Sequence, residues 1–106
     1  MYDEKMIPGV ADRLVVALCA DYFRRKQLID KRQSTYTVIM ECRYLNYRIL
    51  DAACEIVGTK NAETIIREIG ENTGYAASEL DGMSETTYKV KKKEVKLAIA
   101  RRLSLF

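Results

Sequence analysis

The stretch YTVIMECRYLNYRILDAACEIVG, residues 36–58, decides the fold class. Val38, Cys42, Leu45, Ile49, Ala53 and Ile56 recur at steps of three and four, the spacing that lines side chains along one face of an α-helix. Ile39, Leu50 and Val57 widen the stripe. Gly58 follows, and glycine suits the left-handed conformation in which helices commonly stop. Tyr36-Thr37-Val38-Ile39-Met40 has the composition of a strand but runs straight into the helical stripe, so the whole segment reads as one helix of roughly 22 residues.

Upstream, Pro8 suits a first helical turn, where its missing N–H costs nothing. Nothing breaks a helix from there to about Arg32, and Ala11, Leu14, Leu18, Tyr22 and Ile29 recur at helical spacing, with Val15 and Cys19 beside them. This predicts a first long helix, again of roughly 22 residues, antiparallel to the second. Ser34 or Thr35 supplies the cap between them, because a short hydroxyl accepts from the free N–H groups of a first turn. Downstream, Asn61 is the next candidate cap, with Glu63 in the first turn and Ile65, Ile66 and Ile69 along one side. Asn72-Thr73-Gly74 ends that helix, a brief helix is expected over about Ala76 to Leu80, and Asp81-Gly82 reads as a turn. Ser84 then caps a last helix, with Glu85 placed to suit its dipole. The expectation is an all-α fold: one helical domain over 1–106, with a long antiparallel helix pair at 8–57 and a helix-turn-helix-like segment at 61–106.

Composition narrows the function. The chain has 106 residues, 48% apolar and 31% charged, which suits one small globular domain. It has no histidine, which removes His-based triads, general bases and metal ligands. Cys19, Cys42 and Cys54 are odd in number, lack C-x-x-C spacing and lie among apolar residues, so they read as small buried hydrophobes in a reducing cytoplasm. Gly70, Gly74 and Gly82 do not form a phosphate-cradling loop. No catalytic set, metal site or cofactor is expected. The start, Met1-Tyr2-Asp3-Glu4-Lys5, lacks the pattern of a signal peptide, and no apolar run approaches a membrane span.

Charge is unevenly placed. Residues 61–85 carry Arg67 against six acids, and residues 86–106 carry seven basic side chains against Glu94 alone. On a helix, Tyr88, Val95, Ile99 and Leu103 share one face, while Thr86, Lys89, Lys93 and Lys96 fall on another; Lys92 lies close to the buried side. Short helix, turn, capped basic helix is the outline of a helix-turn-helix, in which lysines neutralise phosphates and Thr, Glu and Lys near the helix start reach base edges. The competing reading is a solvated basic face that offsets the acidic segment. Val90 and Leu97 fall opposite Tyr88 and Val95, which implies either a contact with a partner subunit or a helix buried on two sides.

Gly82-Met83-Ser84-Glu85-Thr86-Thr87-Tyr88-Lys89-Val90-Lys91-Lys92-Lys93 resembles the recognition-helix region of ArpU- and RinA-type phage transcriptional regulators, with a hydrophobic residue, Ser, a Thr-Tyr pair and a basic run. More distantly it is similar to the helix-turn-helix of the fourth region of sigma factors. The resemblance covers Gly74 to Leu103. It implies that Ser84 caps the helix, Tyr88 anchors it, and Glu85, Thr86, Lys89, Lys92 and Lys93 face double-stranded DNA, with Lys96 continuing the basic stripe. It also implies a transcriptional role, in which a homodimer and a contact with RNA polymerase are natural partners.

Two further features belong to the long helices. Tyr36, Tyr44 and Tyr47 flank Arg43 and Arg48, and Arg24-Arg25-Lys26 with Lys31-Arg32 forms a second basic cluster. Such tyrosines stack bases in single-strand binders, but more often they pack at a core edge with the polar tip outside. The alternative function is therefore a non-catalytic helical module, or phage accessory protein, that binds another protein through its long helices.

Overall fold

The computed structural model describes residues 7–80 and 82–106, and among these it contains helices and no strand. The helices are α1 (Gly9–Ala20), α2 (Tyr22–Lys31), α3 (Tyr36–Val57), α4 (Thr59–Gly70) and α5 (Glu85–Arg102), with a single 3-10 turn at Tyr75–Ala77. The all-α class is as the sequence indicates.

The first long helix is not continuous. It bends at Asp21, where α1 gives way to α2. Arg25 is the cause. Its buried guanidinium donates to the Leu18 carbonyl at 2.6 Å, the oxygen that would accept from the Tyr22 N–H in an unbroken ladder. A side chain inserted into that ladder is one of the few physical reasons for a sharp bend. Arg25 also donates to Asn46 Oδ1 of α3 at 2.7 Å, and Asn46 donates back to the Tyr22 carbonyl at 3.1 Å. The bend is thereby welded to the α2–α3 hairpin. Leu14 is exposed, and the buried stripe of α1 is Ala11, Val15 and Cys19.

Helix α3 keeps the expected bounds. Thr35 caps it by accepting from the Val38 N–H at 3.3 Å, and Gly58, at φ 81°, ends it. Val38 is exposed, so the stripe begins a turn later, at Cys42. A positive φ is open to glycine without a Cβ penalty, and Gly58 alone separates α3 from α4. Helix α4 therefore starts at Thr59 rather than behind an Asn61 cap, and Glu63 lies beyond its first turn. Glu63 instead accepts from Lys26 at 2.7 Å and from the Tyr22 hydroxyl at 3.0 Å, contacts that hold its carboxyl below the usual range, the lysine first.

Helix α4 is the centre of the molecule. Ala62, Ile65, Ile66 and Ile69 are fully buried and join Val15, Cys19, Ile49, Ala53, Val95 and Ile99 in one core. Each fully buried isoleucine contributes about 2–3 kcal/mol relative to exposure. At its far end Gly70 touches α1: a Cβ built there would lie 2.6 Å from the Cα and N of Ala20. Cys19 and Cys42 are buried, Cys54 half-buried, and burial pushes the Cys19 thiol up to about 12.

Candidate nucleic-acid interface

Helix α5 presents the basic face, and its own sequence sets its start. The Ser84 hydroxyl accepts from the Thr87 N–H at 3.2 Å, and Glu85 occupies the first turn, where the dipole favours an acid. Tyr88, Val95 and Ile99 are buried and Leu103 packs beside them, as the stripe predicts.

The brief helix expected over Ala76–Leu80 does not form. Only the turn at Tyr75–Ala77 is helical; Ser78 is extended and Glu79 lies outside any helix. Gly82 has φ +75°, as a turn requires, while Asp81 lies outside the described residues. A buried carboxylate organises this connection instead. Glu68 of α4 accepts from the Ser78 hydroxyl at 2.7 Å and the Glu79 N–H at 2.7 Å, and the Tyr88 hydroxyl stands 3.0 Å away. These bonds hold a non-helical segment that would otherwise compete to be a helical turn, and they fix the first turns of α5 to α4. Burial, with Glu68 beside it, pushes the Tyr88 hydroxyl up to about 12. The Thr73 carbonyl, 3.1 Å from that hydroxyl, accepts from Lys92 Nζ at 2.7 Å.

The residues expected to face DNA then separate into three kinds. Thr86 and Lys93 are exposed, and Lys89, its side chain 70% exposed, pairs only along its own helix with Glu85 at 3.0 Å. Lys92 is half-buried, held by Thr73, with its ammonium 5.7 Å from the Tyr88 ring centre. Burial first, and then Lys96, holds Lys92 below the usual lysine range. Lys96 is not a free outward charge: it reaches across to Asp12 of α1 at 3.3 Å, and its side chain is 20% exposed. Lys89, Lys92, Lys93 and Lys96 nonetheless converge. With Asp12 and Ile7 they line one groove of about 320 Å³ between α5 and α1. Four lysines lining one groove with Asp12 as its one acid make a site with surplus positive charge, suited to an anion.

The acidic segment does not absorb this surplus. Among the described lysines of α5, only Lys89 pairs with an acid of residues 61–85, and Arg67 takes Glu79 at 2.7 Å. Arg102 binds Asp51 and Glu55 of α3, and Lys91 pairs weakly with Glu94 at 3.8 Å. Of the second basic cluster, Arg24 pairs with Asp21 at the surface, Arg25 is taken up at the helix break and Lys26 pairs with Glu63, while Lys31 and Arg32 are exposed.

Sequence reasoning missed Glu68, Thr73 and Asp12. Glu68 did carry a signal, since it stands three residues after Ile65 on the isoleucine stripe, where an acid must find partners. Thr73 acts through its carbonyl and leaves no trace in side-chain identity. Among the described residues no group of Cys, Asp and Glu is placed to hold a metal, and no helix is long and apolar enough to cross a membrane. No family model matches the chain, and neither does any curated protein or solved structure.

Proposed function

We propose that the chain binds double-stranded DNA through the lysine face of α5 and serves as a transcriptional regulator of phage or mobile-element type. The observation that carries this reading is the groove shared by Lys89, Lys92, Lys93 and Lys96. Phosphates neutralised by such lysines release condensed counterions, a gain that needs no sequence contact. Glu85 and Thr86, exposed in the first turn, stand where a recognition helix reads base edges. In this arrangement α4 takes the place of the supporting helix and α5 that of the recognition helix. The connection 71–84 is longer than the three or four residues of an ordinary helix-turn-helix, and Glu68 supplies the rigidity a short turn gives elsewhere.

The test is fluorescence anisotropy of labelled duplex DNA across a salt series. Lysine–phosphate contacts from Lys89, Lys92 and Lys93, with Lys96 held on Asp12, give a slope of log affinity against log salt of about −3. Lys89→Ala with Lys93→Ala should make that slope shallower by about two and weaken binding by more than tenfold at low salt. Circular dichroism should show the fold intact, because both side chains lie in solvent. Absence of binding by the unaltered protein at low salt removes the proposal. The second reading, a protein-interaction module, is favoured by a separate surface on α3.

A further inference from the structure

Helix α3 is apolar on two opposite sides. The inner side is the core stripe. The outer side, over its first three turns, carries Tyr36, Met40, Arg43, Tyr44 and Tyr47. The tyrosines are not core-edge packing: Tyr36 is 79% exposed, Tyr44 57% and Tyr47 70%, with Met40 at 42%. A helix that is apolar around its circumference is ordinarily buried on both sides. Tyr, Met and Arg are also the residue types enriched at protein interfaces, where Lys and Glu are depleted. This face contains no lysine, in a chain with 18 basic residues.

The spacing says what covers it. Tyr36, Met40, Arg43 and Tyr47 follow steps of four, three and four, the period of a two-helix seam with knobs in holes. Within the face, Met40, Arg43, Tyr44 and Tyr47 are symmetric about a point between Arg43 and Tyr44. Laid antiparallel on itself, the face sets Met40 against Tyr47, and Arg43 over the ring of Tyr44. A guanidinium over a tyrosine ring is a favourable pair, and Arg48 already makes one with Tyr44 at 4.4 Å within the chain. Antiparallel pairing about a two-fold axis also brings like flanks together. One flank holds Glu41 and Arg48, so the acid of each copy falls near the base of the other. A parallel pairing would instead stack Arg43 on Arg43.

We infer that two copies of the chain associate through the outer face of α3, antiparallel, across a two-fold axis near Arg43 and Tyr44. The interface is isologous, as most homodimer interfaces are, and it leaves the lysine groove on the α1 side of each copy uncovered.

Sedimentation velocity over concentrations rising into the high micromolar range tests this. The unaltered protein should pass from monomer to dimer. Met40→Asp and Tyr47→Asp should each weaken association by about tenfold or more, since such central positions carry most of an interface's energy. Register is tested by cysteine cross-linking under mild oxidation, with the unaltered protein as control for Cys19, Cys42 and Cys54. Arg43→Cys, beside the two-fold axis, should give a covalent dimer. Tyr36→Cys should not, because antiparallel pairing separates its two copies by four turns. A monomer throughout the range overturns the inference, as does a dimer indifferent to both aspartates. Cross-linking through Tyr36→Cys but not Arg43→Cys overturns the antiparallel arrangement. A monomer that binds single-stranded DNA through these tyrosines assigns the face to base stacking instead.

Discussion

Two solvent faces of this molecule go unused by its own core, and they differ in kind. The α5 face is charged, sits in a groove and is partly answered by Asp12. The outer face of α3 is aromatic and carries few charges. The first acts at a distance: a cluster of ammonium groups attracts an anion over about 10 Å at ordinary salt. The second acts only on contact, by removing apolar area from water. The lesson is that each face selects its partner by the property it holds in excess, and that the two properties respond to different perturbations. Salt should silence the first and spare the second.

The largest expected effect strikes the frame that both faces share. Gly70→Ala would gain up to about 1 kcal/mol of helix propensity at a mid-helix site. Here the new methyl meets backbone atoms of Ala20 at 2.6 Å, and backbone cannot rotate away. Overpacking of this type costs roughly 1–3 kcal/mol or more, so the clash wins. A net loss of about 2 kcal/mol is expected, read by thermal or urea unfolding. An unchanged or raised stability would show that α1 and α4 slide apart freely, and that the Asp21 bend is soft.

A smaller and more selective break is Glu68→Ala. It leaves the Ser78 hydroxyl and the Glu79 N–H without their acceptor, while the Tyr88 hydroxyl keeps the Thr73 carbonyl. Each unsatisfied buried group costs about 1–3 kcal/mol, less where water enters the gap, and with both groups only part-buried a total near 1 kcal/mol is expected. The effect should fall on one face alone. Duplex binding weakens several-fold because the first turns of α5 lose their tie to α4, while association through α3 is unchanged. Equal loss at both faces would mean that the Glu68 hub supports the whole fold rather than the start of α5.

What was legible in the sequence follows the range of the interactions. Stripes along α3, α4 and α5 are local periodicities, and the caps at Thr35 and Ser84 are set by residues three apart, so these could be read directly. The Asp21 bend could not, because it depends on Arg25 meeting Asn46, a partner 21 positions away. The non-helical run at Ser78–Glu79 is likewise decided by a carboxylate ten positions earlier. The basic face was visible as charge, but its division into free, half-buried and paired lysines was not, since Asp12 and Thr73 come from other parts of the chain. The outer tyrosines were in view throughout. Their spacing alone does not distinguish a core edge from a free face; that follows from α2, α4 and α5 all packing elsewhere on α3.

The smallest effect sharpens the comparison most. Asp12→Asn removes the one carboxylate in the lysine groove and leaves its shape nearly unchanged. The Asp12–Lys96 pair is only partly exposed, and discounted for the screening that remains its loss costs about 1 kcal/mol of stability. Its effect on binding has two parts of opposite sign. Removing a negative charge from the anion's path raises affinity. Releasing Lys96 from α1 lets it reach a phosphate, but also lets it wander. If charge dominates, duplex affinity rises about two- to fivefold and the salt slope steepens by about one. If position dominates, affinity falls with the slope unchanged, and Asp12 is then a positioning residue for Lys96 rather than a brake on binding. Association through α3 should not move in either case, because Asp12 lies on α1, beside the groove and away from the tyrosine face.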